Sequence, residues 1–136
     1  MGRILCIDFG KKRCGIAVTD SIQLTVNPLL TIDRTQLWSW LKDYFLNEQV
    51  SDIVLGHSID EDGQENELMH AVHALLKALH KSYPQITCHL EDESFSSREA
   101  LELMIKWGVK KKDRREKANL DKFAAAIILE RFLQRK

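Results

Sequence analysis

The stretch Ile4-Leu5-Cys6-Ile7-Asp8-Phe9-Gly10-Lys11-Lys12-Arg13-Cys14-Gly15-Ile16-Ala17-Val18 decides the reading of this chain. Two short apolar runs flank a tight basic turn, which predicts a β-hairpin over residues 3–9 and 14–20. Asp8 stands where the first run ends. An apolar strand seldom carries a charge unless that charge is paired or holds a metal ion. Gly10 and Gly15 lack a Cβ, so the backbone there can turn tightly and a phosphate can approach closely.

The pattern continues outward from this hairpin. Leu24 to Ile32 extends it into a three-strand meander, and Asn27-Pro28 predicts that the third strand is short or at an edge. Leu37, Trp38, Leu41, Tyr44 and Phe45 repeat at helical spacing within residues 34–48. Asp52 to Gly56 reads as a short buried strand, and His57 to Gly63 as a polar loop. A long helix follows with Leu68, Val72, Leu75, Leu76 and Leu79 on one side, then a strand from Ile86 to Leu90. Ser96 and Glu99 form a capping box for a helix running to about Trp107, with Gly108 as its C-cap. Val109 to Lys117 reads as a charged loop, and Leu120 to Leu133 as a last helix with Phe123, Ala124, Ile127 and Ile128 inward. Hairpins first and alternation afterwards predict an α/β fold, a mixed sheet with helices on its faces. At 136 residues the expectation is a single domain, 1–136.

Composition narrows the function classes. No apolar run reaches membrane-spanning length and the first residues lack a signal-peptide pattern, so the expected location is cytoplasmic, without a membrane partner. Cys6, Cys14 and Cys88 are too scattered for a disulfide framework or a metal-binding pair. The net charge of zero conceals an asymmetry: the last 31 residues hold 11 of the 20 bases against four acids, about +7, and the remainder is about −7. A basic face beside an acidic pocket suits a metal-dependent enzyme that acts on a polyanion.

Three acids lie at predicted element boundaries. Asp8 ends the first strand, Glu93 follows Glu91 and Asp92 past the strand Ile86–Leu90, and Asp121 opens the last helix in its first turn. Carboxylates gathered there can bind Mg²⁺ or Mn²⁺ through oxygen alone. Two such ions roughly 4 Å apart activate a water and stabilise the leaving oxygen of a phosphodiester. On composition alone, a helix-start acid and a solvated acidic run are the ordinary readings of Asp121 and Glu91–Glu93.

Four blocks carry a resemblance. Asp8-Phe9-Gly10-x4-Gly15-Ile16-Ala17-Val18 resembles D-x-G-x4-G-x-A-x, and Val54-Leu55-Gly56 followed by Asp62-Gly63 resembles V-G-L-P-x4-D-G. Asp92-Glu93-Ser94-Phe95-Ser96-Ser97-Arg98-Glu99-Ala100 resembles D-E-R-[LF]-[ST]-[ST]-x-x-A. Lys117-Ala118-Asn119-Leu120-Asp121-Lys122-Phe123-Ala124-Ala125 resembles K-x-x-[VI]-D-x-x-A-A. In this order and spacing the blocks resemble the YqgF/RuvX family. The resemblance implies a ribonuclease-H-like mixed sheet, an antiparallel three-strand meander joined to parallel strands, with helices on both faces. It implies a metal-dependent nuclease that matures the 5′ end of pre-16S rRNA, with Holliday-junction resolution as an older proposal. It makes Asp8, Glu93 and Asp121 the catalytic metal ligands for Mg²⁺ or Mn²⁺ in a two-metal site, with Asp92, Asp62, Gly10 and Gly15 in support. Ser94 stands where the family has Arg, and His57-Ser58 replaces Leu-Pro; a missing Arg removes a phosphate clamp.

The basic residues supply the expected nucleic-acid contacts: Lys11, Lys12 and Arg13 in the first turn, Arg98, and the run Lys110, Lys111, Lys112, Arg114, Arg115 and Lys117. The expected partner is structured RNA such as pre-16S rRNA, or branched DNA, bound by a monomer or weak homodimer. A non-catalytic adaptor for ribosome-assembly or transcription factors is the competing class. An actin-like ATPase shares D-x-G-x4-G but needs a second lobe and a second phosphate loop, for which this chain has no length. His70, His73, His80 and His89 read as surface residues, and Trp38, Trp40 and Trp107 as packing residues.

Overall fold

The computed structural model describes residues 2–57, 67–92 and 96–135. The elements run β1 (Arg3–Phe9), β2 (Arg13–Thr19), β3 (Val26–Asp33), a 3-10 turn (Arg34–Gln36), α1 (Leu37–Asn47), β4 (Val50–His57), α2 (Glu67–Ser82), β5 (Thr87–Asp92), α3 (Ser96–Lys106), α4 (Lys111–Arg114) and α5 (Lys117–Arg135). The five strands form one sheet in the order β3-β2-β1-β4-β5. β1 pairs antiparallel with β2, and β2 antiparallel with β3. β1 pairs parallel with β4, and β4 with β5. This is the expected meander joined to parallel strands.

β1 is central because its apolar run is unbroken, as a strand buried on both faces requires. Strand alternation sends Leu5, Ile7 and Phe9 into one core with Leu37, Leu41, Val72 and Leu79 of α1 and α2. Ile4 and Cys6 go to the other face, against Ala125, Ala126, Ile128, Leu129 and Phe132 of α5. Each fully buried Ile or Leu in these layers contributes roughly 1.5–3 kcal/mol. A second side of α5 (Phe123, Ala124, Ile127) packs on Ala100 and Met104 of α3. The helix is thus enclosed between sheet and α3, and its three consecutive alanines let it approach both.

Several boundaries differ from the sequence reading. β3 is an edge strand as expected, yet it is eight residues long; a register shift between Ile16 and Ala17 of β2 accommodates Pro28, which lacks an N–H. The charged loop contains the helical turn α4, closed by Asp113 and Arg114 N–H groups that donate to the Lys110 carbonyl. α5 starts at Lys117 rather than Leu120, so Asp121 lies beyond the first turn and gains little from the helix dipole. α3 ends as expected: Gly108 has φ +78°, and Val109 N–H donates to the Met104 carbonyl at 2.9 Å. His89, expected at the surface, is half-buried and paired. Its Nε2 lies 2.7 Å from Asp52 Oδ2, and its ring packs on Phe132.

Candidate active site

Asp8 sits near the carboxyl end of β1, and alternation turns it to the face that carries Ile4 and Cys6, the face covered by α5. Its register partners are Gly15 on β2 and Gly56 on β4, and Gly56 in turn pairs with Glu91 on β5. Asp8 is therefore flanked by two residues without side chains. Glu91 is buried and ion-paired with Arg135 near the end of α5.

Asp121 reaches the same edge from α5, and Gly15 lets it do so. A Cβ on Gly15 would stand 2.0 Å from the Asp121 carbonyl oxygen. Gly15 is a paired strand residue rather than part of the turn, so its lack of a side chain admits a helix backbone and not a phosphate. Gly10 plays the expected turn role, since a Cβ there would meet the Arg13 carbonyl oxygen at 2.4 Å. The start of α5 is held further by the Thr31 hydroxyl, which donates to the Ala118 carbonyl.

Electrostatics tie the two acids together. Burial pushes the Cys14 thiol up to about 11, and the Asp8 and Asp121 carboxylates both push in the same direction. A hydrogen bond with the Gly10 backbone and the Arg34 charge oppose them. Both acids therefore lie within electrostatic reach of one buried sulfur on β2.

Arg13, one of the expected nucleic-acid contacts, is engaged with Asp121. Its Nε donates to Asp121 Oδ2 at 3.2 Å. Around this pair a cavity of about 340 Å³ is lined by Gly10, Lys11, Lys12, Arg13, Lys117 and Asp121. Four of the expected nucleic-acid residues thus converge on one expected metal ligand. Lys110, Lys111, Lys112, Arg114 and Arg115 lie in and around α4, which is joined to α5 by Asn119 Nδ2 donating to the Asp113 carbonyl at 2.9 Å. Arg98 is exposed on α3, 3.9 Å from Glu102, and is not part of the cavity.

Arg34, which sequence reasoning did not single out, braces the basic turn. Its backbone N–H donates to the Lys12 carbonyl at 2.9 Å, its Nη1 to the Lys11 carbonyl at 3.3 Å, and its guanidinium lies 5.0 Å from the centre of the Phe9 ring. A lone arginine after a strand carries no local signal of such a role.

Glu93, Asp62 and Ser94 lie outside the described residues, and Asp92 is placed as the last residue of β5, opposite His57. Among the described residues no group of three or more His, Cys, Asp or Glu side chains is placed to hold a metal ion. The donors that are described fit a hard divalent ion: Asp8 and Asp121 offer carboxylate oxygen, and Gly56 beside Asp8 puts no side chain next to its carboxylate.

The model of the family described as "RuvX: Holliday junction resolvase" matches residues 2–135. The chain belongs to the RuvX family. A relative from Phocaeicola vulgatus named "Putative pre-16S rRNA nuclease" is 41% identical over 136 residues, covering 100% of this chain and 98% of the relative. One of the same name from Amoebophilus asiaticus is 37% identical over 133 residues, covering 98% of this chain and 94% of the relative. Among solved structures, T. thermophilus RuvC in complex with a Holliday junction substrate aligns with a TM-score of 0.61 at 16% identity, over 99% of this chain and 96% of that one. That likeness carries the fold, which is ribonuclease-H-like. Among the described residues no helix of this RuvX-family chain is long and apolar enough to cross a membrane.

Proposed function

We propose that this RuvX-family chain is a metal-dependent nuclease that hydrolyses phosphodiester bonds in structured RNA, acting at the 5′ end of pre-16S rRNA. The observation that carries the reading is the convergence of Asp8 and Asp121 on one sheet edge, with Lys11, Lys12 and Lys117 around Asp121. Carboxylates that hold Mg²⁺ or Mn²⁺ need a cationic rim if a polyanion is to approach them. The names of the relatives support RNA as the substrate.

Asp8 and Asp121, together with Glu93, would hold the ion or ions. Bound there, a divalent metal supplies a polarised water and charge stabilisation for the leaving oxygen. The chain's own residues do the rest. Lys11, Lys12 and Lys117 draw the backbone phosphates to the cavity, the bases of α4 extend that grip, and Arg34 fixes the turn that presents Lys11 and Lys12.

The test is cleavage of an RNA spanning the 5′ boundary of pre-16S rRNA in Mn²⁺, beside a branched DNA of equal length. The expected result is RNA cut at a defined position, with the rate reduced by at least about a hundredfold in Asp8→Asn and Asp121→Asn. Preferential cutting of the branched DNA overturns the choice of substrate. RNA that is bound but never cut identifies a non-catalytic adaptor instead.

A further inference from the structure

Arg13 and Gly15 share one face of β2, the face that α5 covers, so the strand presents a guanidinium and a gap side by side to the start of that helix. Asp121 uses both. Its backbone fills the gap, and its carboxylate accepts from Arg13 Nε at 3.2 Å, with both side chains partly exposed to the cavity. Lys11, Lys12 and Lys117 line the same space, but the cation paired with Asp121 is Arg13. A carboxylate oxygen engaged by one cation binds a second less well. A guanidinium fits a phosphate with the same fork that it offers a carboxylate, and the contact to Asp121 uses one of its five N–H donors.

We propose that Arg13 is a counter-cation built into the site. It orients Asp121 and competes with a divalent ion for the carboxylate; when the ion takes Asp121, the guanidinium passes to a substrate phosphate. The inference rests on the reading of Asp121 as a metal ligand. It makes Arg13 a positioning residue whose removal tightens metal binding, the opposite of what loss of a structural residue does.

The experiment is a titration of Mn²⁺ into the full-length protein without nucleic acid, followed through the magnetic-resonance signal of the free ion. Arg13→Gln is expected to bind Mn²⁺ about two- to fivefold more tightly than wild type, the range of a partly exposed ion pair. Lys117→Gln, which removes a cavity cation not paired with Asp121, should change affinity less. Arg13→Lys, a second variant should the first fail to fold, should fall between wild type and Arg13→Gln. Affinity in Arg13→Gln equal to or below wild type overturns the proposal, as does an equal gain in Lys117→Gln. Asp121→Asn separates the two readings. Mn²⁺ binding that depends on Asp121 but ignores Arg13 overturns this inference alone, whereas binding indifferent to Asp121 removes the metal reading and the inference with it.

Discussion

Gly15 and the backbone of Asp121 compete for one small volume. A Cβ at residue 15 would stand 2.0 Å from the Asp121 carbonyl oxygen and 2.8 Å from the Lys122 nitrogen. Both are backbone atoms that cannot swing aside, so Gly15→Ala must push α5 off β2 at the point where Asp121 reaches the site. Overpacking of this kind costs about 1–3 kcal/mol. A displacement near 1 Å at a catalytic group costs on the order of a hundredfold in rate. Gly108→Ala is the comparison. Its φ of +78° strains an alanine by about 1 kcal/mol, but its Cβ meets nothing, and it ends α3 away from the cavity. The expected outcome is two variants with lowered melting temperatures, of which Gly15→Ala alone loses cleavage. Full activity in Gly15→Ala would show that the close approach has no bearing on Asp121.

The same close approach shows where sequence reading stops. The central strand is legible because the four residues 4–7 form an unbroken apolar run that needs burial on two faces, and the Schellman turn at Gly108 because its glycine follows a helical pattern. Asp8 is legible as a lone charge on such a strand. Arg13 is not legible as the partner of Asp121, since 108 positions separate them and nothing local distinguishes that base from Lys11 or Lys12. Thr31 and Arg34 escape for the same reason: each acts on backbone carbonyls that only the tertiary fold brings within reach. His89 reads as a surface residue because a half-buried strand with polar neighbours gives no hint of Asp52 across the sheet.

The bases around α4 make a quantitative prediction for binding. Every phosphate that the protein ceases to neutralise lowers the slope of log affinity against log salt by about 0.7–0.9. Replacing Lys110, Lys111 and Lys112 together by Gln should flatten that slope by about 2 and weaken RNA binding uniformly across sequences. The three residues are exposed, so melting temperature should hold. Titrations at several salt concentrations, run without divalent ions, measure both quantities. A slope identical to wild type would remove α4 from the interface.

Cys14 gives the fold a pH dependence of definite sign. Its thiol ordinarily ionises near 9.0 and is pushed up to about 11 in the folded chain by burial, with Asp8 and Asp121 adding to it. Between these values the unfolded chain releases a proton that the folded chain keeps, so stability is fully present below pH 9 and falls as pH rises toward 11. The gap corresponds to about 2–3 kcal/mol. Denaturation under reducing conditions at about pH 7 and about pH 10.5 should therefore show a larger alkaline loss in wild type than in Cys14→Ala. Equal losses in the two proteins would mean that the thiol titrates alike in both states.

Arg34 tests whether the basic turn must be held for the site to grip a phosphate. It reaches the Lys11 carbonyl through Nη1 and the Lys12 carbonyl through its backbone, and it lies over Phe9. Its ion pair with Glu67, at 3.4 Å and largely exposed on the Glu67 side, adds little. Arg34→Ala keeps the backbone bond but removes the guanidinium from both the Lys11 carbonyl and the ring, together about 1–2 kcal/mol. Amide hydrogen exchange across Gly10–Arg13 should accelerate, and RNA affinity should fall although Lys11 and Lys12 are intact. Arg34→Lys separates charge from geometry. An ammonium cannot reproduce the planar fork, so this variant should resemble Arg34→Ala in exchange rates; behaviour like wild type would mean that positive charge alone supports the turn.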